Sequence, residues 1–204
     1  MTEIAHLAAT LFRRAAGLQR LMVAIAGPPG AGKSTLVDTL LPLLPEGEAA
    51  IVSMDGFHYD NAVLDARGLR SRKGAPETFD VDGFAAVLSR LRAGEAEVAV
   101  PLFDRKADLA RAGATIISPR VRFVLVEGNY LLLDEAPWSG LAPLFDHTVF
   151  LDLAEEELEK RLIQRWLDHG HTREAARERV LSNDLPNARR VVATRRTPDL
   201  TLNA

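Results

Sequence analysis

Leu21-Met22-Val23-Ala24-Ile25-Ala26-Gly27-Pro28-Pro29-Gly30-Ala31-Gly32-Lys33-Ser34-Thr35 decides the fold of this chain. Its first six residues form an apolar, partly β-branched run bounded by Gly and Pro, which reads as a buried parallel strand. The spacing G-x-x-x-x-G-K-S then spans Gly27 to Ser34, and a helical pattern follows from about Lys33 to Leu41, stopped by Pro42. Each fixed position has a physical task. The glycines let backbone N–H groups turn inward around an anion where a Cβ would crowd it. Lys33 can reach the terminal phosphates, the Ser34 hydroxyl can meet Mg²⁺, and the helix directs its positive end at phosphate oxygens. An ordinary Gly/Pro turn with an incidental lysine would not combine strand, spacing and helix. The stretch Gly27, Pro28, Pro29, Gly30, Ala31, Gly32, Lys33, Ser34 and Thr35 is therefore read as a nucleoside triphosphate site.

The whole chain bounds what this loop can belong to. With 204 residues and 47% hydrophobic content, one sizeable α/β core with a small lid is expected, so residues 1–204 are read as a single domain. A net charge of -3 argues against a nucleic-acid backbone or an anionic membrane as main partner. The absence of cysteine excludes disulfides, a thiolate nucleophile and Cys-based zinc, and suits the cytoplasm. No basic-then-apolar leader opens the chain and no apolar run reaches bilayer length, so a cytoplasmic location is expected. Nothing in the composition speaks for or against an oligomer.

Moving outward from the loop, Ile4, Leu7, Ala8, Leu11, Ala15 and Leu18 recur at helical spacing and predict a helix over 3–18. Ala49 to Met54 predicts a second strand, ending at Asp55 and followed by His58 and Tyr59. In a parallel sheet ligands bind beyond the carboxyl ends of strands. Asp55 is thereby placed to accept a proton from a substrate hydroxyl or to hold Mg²⁺ through water, although Asp-Gly is also an ordinary turn former. His58 and Tyr59 either contact substrate or pack over the loop. The polar stretch from Leu69 to Asp80 is a solvated loop or part of a substrate rim, and Asp80 is read as the N-cap of a helix whose Phe84, Val87, Leu88 and Leu91 face the core.

A strand over Glu97 to Val100 is followed by Asp104, Arg105 and Lys106, which read either as substrate contacts or as a surface salt-bridge cluster. Phe123 to Val126 predicts a buried strand ending at Glu127, where a carboxylate can orient Mg²⁺. Another strand is expected over His147 to Leu151. From Ala154 to about residue 182 the chain reads as two charged helices around His169-Gly170-His171, the second capped by Thr172. Arg161 and Arg165 lie one turn apart, a repulsion that a bridging anion would reverse. The hairpin is either a solvated face or a lid delivering these arginines to a transferring phosphoryl group. Thr194 and Arg195 precede a last strand near Leu200 and are expected to approach the nucleotide base.

These pieces together resemble the P-loop kinase family that contains uridine kinase, phosphoribulokinase and the bacterial type of pantothenate kinase. The matching segments are Gly27 to Thr35, Met54-Asp55-Gly56-Phe57-His58, Arg72 to Asp80, Pro101-Leu102-Phe103-Asp104-Arg105, Val126 to Tyr130, the helix of Arg161 and Arg165, and Ala193-Thr194-Arg195 before Asp199-Leu200. The nearest likeness is to a short bacterial subgroup described as nucleoside kinase-like or as fructose-transport kinases. The resemblance implies a three-layer P-loop NTPase sandwich with a parallel sheet of about five strands, helices on both faces and a helical lid. It implies ATP and Mg²⁺, Asp55 as catalytic base, Glu127 as the metal-associated acid and Arg161 with Arg165 as lid arginines. The histidine that nucleoside-binding members place after Phe103-Asp104 is absent, as are pantothenate-type tyrosines; the likeness to the subgroup implies a sugar such as fructose, or a related polyol, as acceptor, with a nucleoside or pantothenate as the alternative.

Two other classes are weighed against a kinase. A nucleotide-gated switch or mechanical ATPase would share the loop, but neither an N-K-x-D nor an L-S-G-G-Q segment is present. A helix-turn-helix reading of the 154–182 hairpin would require DNA as partner, against the acidic net charge.

Overall fold

The computed structural model describes residues 3–204. Its strands are β1 (Leu21–Ala26), β2 (Ala49–Ser53), β3 (Val98–Asp104), β4 (Leu109–Ile117), β5 (Phe123–Gly128), β6 (His147–Asp152) and β7 (Leu200–Asn203). Its α-helices are α1 (Glu3–Arg14), α2 (Lys33–Leu40), α3 (Asn61–Ala66), α4 (Val81–Arg92), α5 (Glu155–Asp168), α6 (Arg173–Arg179) and α7 (Leu185–Thr194). Five strands form one sheet in the order β2-β5-β1-β6-β7, and every neighbouring pair is parallel. The apolar run at Leu21 to Ala26 sits in the middle of it, buried along its whole length.

Because successive strand side chains face opposite ways, β1 feeds two cores. Leu21, Val23 and Ile25 pack with Leu7 and Leu11 of α1 and with Leu36, Val37 and Leu40 of α2. Met22, Ala24 and Ala26 pack on the other face with Phe84, Leu88 and Leu91 of α4 and with Tyr130 and Trp138. Each fully buried side chain of leucine size stabilises the fold by roughly 1.5–3 kcal/mol before ordering costs. Asp80 caps α4 as its position implied, its carboxylate accepting from the Gly83 N–H at 3.0 Å.

The amino end of β1 is fastened by Arg20, which is buried and donates to the carbonyls of Val121, Leu91, Glu95 and Ser118 at 3.0–3.1 Å.

Several expectations are corrected. The first helix ends at Arg14 and not at 18, because Gly17 takes a left-handed conformation (φ 80°), and Leu18 is left exposed. The strand expected at Glu97 to Val100 is β3, which runs on to Asp104 and pairs antiparallel with β4 in a separate hairpin, so its end is not a carboxyl end of the parallel sheet. β5 runs one residue past Glu127 to Gly128, so Glu127, paired with Ile25 and Ser53, is its penultimate residue. After α6 the chain stays helical through a π-turn (Val180–Asp184) into α7, with Pro186 in the first turn, where no N–H is needed. Among the described residues no helix is long and apolar enough to cross a membrane.

Candidate active site

Beyond the carboxyl ends of β1, β2 and β5 lies a cleft of about 510 Å³. The loop between β1 and α2 forms its floor. Gly27 (φ 156°) passes so close to β6 that a Cβ would stand 2.8 Å from the Leu151 carbonyl oxygen. Gly30 (φ 85°) has Leu162 of α5 on its outer side, 3.3 Å from where a Cβ would be. The loop is thus held between a strand and the first helix of the charged hairpin.

Lys33, the first residue of α2, is 8% exposed and donates to the Pro28 carbonyl at 3.0 Å, closing the loop on itself. Burial pushes its ammonium group down to about 8, while Glu127 and Asp55 pull the other way and Arg165 adds to the depression. The sign of the pH dependence follows. Below about pH 8 the free protein carries the ammonium charge that a triphosphate needs, and above it a proton must be taken up on binding. ATP affinity is therefore expected to be level on the acid side of pH 8 and to fall by up to about tenfold per pH unit on the alkaline side. Calorimetric titration of an ATP analogue in buffers of different ionisation enthalpy checks both the slope and the proton uptake.

Asp55 is the second residue of the short 3-10 turn (Met54–Phe57) that follows β2, its N–H donating to the Ser53 hydroxyl at 3.3 Å. One carboxylate oxygen, Oδ2, pairs with Arg105 at 2.8 Å, and Arg105 itself is largely exposed. Glu127 accepts the Ser53 hydroxyl on Oε1 and stands 3.5 Å from the Ser34 hydroxyl through Oε2. Ser34 and Glu127 are hard oxygen donors on facing elements. Among the described residues no group of three or more His, Cys, Asp or Glu side chains is arranged to hold a metal by itself. Such a donor pair suits a hard cation that takes most of its ligands from phosphate and water.

The cleft brings together the phosphate loop, Asp55, Glu127, His58, Arg105, Arg161 and Arg165. His58 is placed by its Nδ1 contact with the Asp55 carbonyl at 2.8 Å and by the rings of Phe79 and Phe103, with centroids at 4.0 and 4.7 Å. Burial lowers its imidazole below the usual value, which favours the neutral ring. Arg161 is paired with Glu157, one turn earlier on α5, at 3.1 Å. The Arg165 guanidinium is pulled down by burial and lies over Trp166.

Other expected contacts lie elsewhere. Tyr59 is stacked under Arg67 at 4.4 Å and does not line the cleft. Asp104 turns back to accept the Lys106 and Ala107 N–H groups at 3.1 and 3.0 Å, capping the hairpin turn, and Lys106 is left exposed. Thr194 ends α7 with its hydroxyl on the Arg190 carbonyl, and Arg195 covers Phe150 at 4.3 Å; neither lines the cleft.

Sequence reasoning missed three contributors. Lys73, in the loop left undecided between rim and solvent, turns inward to Asn61 Oδ1 at 2.7 Å and Asp108 Oδ1 at 2.8 Å. Asp108, wired to it, is the one non-glycine residue with positive φ (53°) among the described residues, a strain often kept at functional sites. Trp166 donates to Asp184 at 2.6 Å, which ties α5 to the π-turn. Only the R-K-G run marked Lys73 beforehand, and no periodicity distinguishes an inward lysine from its outward neighbours.

A parallel sheet with a phosphate loop at its central strand and two carboxylates at neighbouring strand ends defines a P-loop kinase. The model of the phosphoribulokinase/uridine kinase family matches residues 22–198, and the chain belongs to that family, whose members transfer a phosphoryl group to a hydroxyl. The chain is similar to a crystal structure from Silicibacter sp. TM1040 named as a candidate fructose transport system kinase, with 44% identity, a TM-score of 0.93, and coverage of 99% of this chain and 100% of that one. It is 39% identical over 188 residues to protein YggC of Escherichia coli (strain K12), covering 89% of this chain and 77% of YggC. It is 34% identical over 207 residues to a Schizosaccharomyces pombe protein named as a candidate uridine kinase, covering 94% and 88%.

Proposed function

We propose that this kinase transfers the γ-phosphoryl group of ATP to a hydroxyl of a sugar or sugar-derived polyol, with fructose the first compound to test. The observation that carries the reading is Asp55, a carboxylate at a strand end in the same cleft as Lys33, Glu127 and Arg165. Asp55 Oδ1, the oxygen not paired with Arg105, takes the proton of the acceptor hydroxyl. The freed oxygen forms a bond to the γ-phosphorus as the bond from that phosphorus to the β,γ-bridging oxygen breaks, and ADP leaves. Lys33 and the loop N–H groups hold the donor phosphates, and Arg161 with Arg165 offset the charge on the phosphoryl group in flight. Ser34 and Glu127 would hold Mg²⁺, which when bound neutralises phosphate charge. α5, seated on Gly30 through Leu162, excludes water from the floor of the cleft.

A second, mostly apolar cleft of about 290 Å³ lies behind the loop, lined among others by Thr35, Thr39, Arg161 and Asn203. We read it as the space for the base of ATP; Thr194 and Arg195 do not line it. The sugar-type acceptor is supported by the likeness to the Silicibacter protein. We read the chain as a single-domain enzyme of the cytoplasm acting on small molecules.

A coupled ADP-release screen over free sugars, sugar acids and phosphates, nucleosides, pantothenate and glycerate tests this, with Lys33→Ala as blank. Acceptor-dependent ADP release by one polyol class is the expected result. Strong ATP hydrolysis that no alcohol stimulates would overturn the kinase reading in favour of a nucleotide-gated ATPase.

A further inference from the structure

Lys33, Lys73, Arg105, Arg161, Arg165 and Arg179 all line the cleft. The first four are committed. Lys33 closes the phosphate loop, Lys73 is held by Asp108 and Asn61, Arg105 by Asp55, and Arg161 by Glu157. Arg165 and Arg179 have neither an ion pair nor a side-chain hydrogen bond within the described residues. Both guanidinium groups lie against the Trp166 ring, Arg179 at 4.3 Å and Arg165 at 5.5 Å. The Arg179 Nε is buried with no hydrogen-bond partner. A buried N–H of a charged group left unpaired is costly, and two such cations side by side repel. The Asp184 carboxylate, which attracts Arg165, already gives one oxygen to the Trp166 indole. The pair is built to meet anions that the protein does not supply.

The two arginines reach the Trp166 ring from different helices, Arg165 from α5 and Arg179 from α6. Arg161 lies over Gly32 and Arg165 follows it by one turn of α5, so Arg165 belongs to the phosphate end. Arg179 lies on α6, and the π-turn that follows reaches the opposite wall, where the Asn183 side-chain amide donates to the Lys73 carbonyl at 3.3 Å. Beside Lys73 stand Phe103 and, next to it, His58. Arg179 lines the same cleft as Asp55, four residues before Asn183 on the helical run that reaches the wall of Lys73, Phe103 and His58.

We propose that Arg179 is an acceptor-binding residue that takes an anionic group, a carboxylate or a phosphate, which the acceptor carries in addition to the hydroxyl it offers. The planar guanidinium presents paired donors that match either group bidentately. The substrate class narrows from neutral sugars to hydroxy acids or phosphates of sugar size. This rests on the kinase reading above and sharpens its acceptor.

The test separates the two. With the phosphate loop saturated by a non-hydrolysable ATP analogue, an aldonic acid, a polyol phosphate and the matched neutral polyol are each titrated while tryptophan fluorescence is followed. Trp166 reports, since Trp138 is buried in the core. A saturable change with one or both anions, absent with the neutral polyol, is expected. In Arg179→Met its midpoint should rise about 10–100-fold, the loss of a charge-assisted contact, and Arg179→Lys should recover part of it. The responding anion should also be turned over with a higher kcat/KM than the neutral polyol. No change with either anion, an unaltered response in Arg179→Met, or a neutral polyol turned over as well as its acid and phosphate would overturn the assignment. Anion binding without any acceptor-dependent ADP release would support the Arg179 site and count against the kinase reading alone.

Discussion

Lys33→Ala is expected to lower kcat/KM for ATP by about 10³-fold, or roughly 4 kcal/mol of transition-state stabilisation. The ammonium group stands in the cleft within the field of Glu127, Asp55 and Arg165, where a triphosphate would displace its hold on the Pro28 carbonyl. Alanine removes the charge proposed to follow the γ-phosphoryl group and leaves the loop N–H groups and the lid arginines to hold it. The fold should be untouched, because what is lost is a desolvated cation with one backbone bond. Steady-state kinetics beside a thermal melt checks this. A large drop in melting temperature would mean that the lysine is a structural clasp and that the rate loss is secondary.

Asp55→Asn is expected to reduce kcat by about 10²–10⁴-fold with little change in affinity for ATP. The substitution keeps the shape and an oxygen to face Arg105, but removes the carboxylate proposed to take the hydroxyl proton. Single-turnover transfer with a saturating acceptor, beside the dissociation constant of an ATP analogue, distinguishes a chemical loss from a binding loss. Unchanged turnover of the true acceptor would refute the assignment of Asp55. A parallel loss of ATP affinity would move it from proton transfer to metal binding.

The contrast between these two residues shows what was legible in the chain beforehand. Lys33, on the loop after β1, and Asp55, just after β2, each follow a short, largely apolar run, and in a parallel sheet such runs end on one side of the molecule, so their meeting in one cleft follows from pattern alone. The central five strands were read for the same reason. The β3–β4 hairpin was half seen, because β4 is exposed along most of its length and its Ala, Arg, Gly and Thr residues have no apolar face to betray it. Its loss displaced Asp104 and Lys106 from the substrate wall. α7 was hidden by Pro186, which signals a break in a sequence but sits where a helix tolerates it. Arg179 and Lys73 belong to polar stretches in which several cations alternate. Which one turns inward depends on partners more than 30 residues away for Lys73, such as Asp108, and on an aromatic ring one helix back for Arg179.

The four carbonyls gathered by Arg20 have a consequence for how binding is distributed through the molecule. They come from the end of α4 and from the connections around β4 and β5, at the pole of the sheet opposite the cleft. An arginine keeps its proton at any working pH, so this knot neither titrates nor depends on a ligand. Stabilisation by substrate acts on the molecule as a whole through mass action. Neither Arg20 nor any of the four residues it ties together lines the cleft, so the knot is set apart from the groups that would meet a substrate.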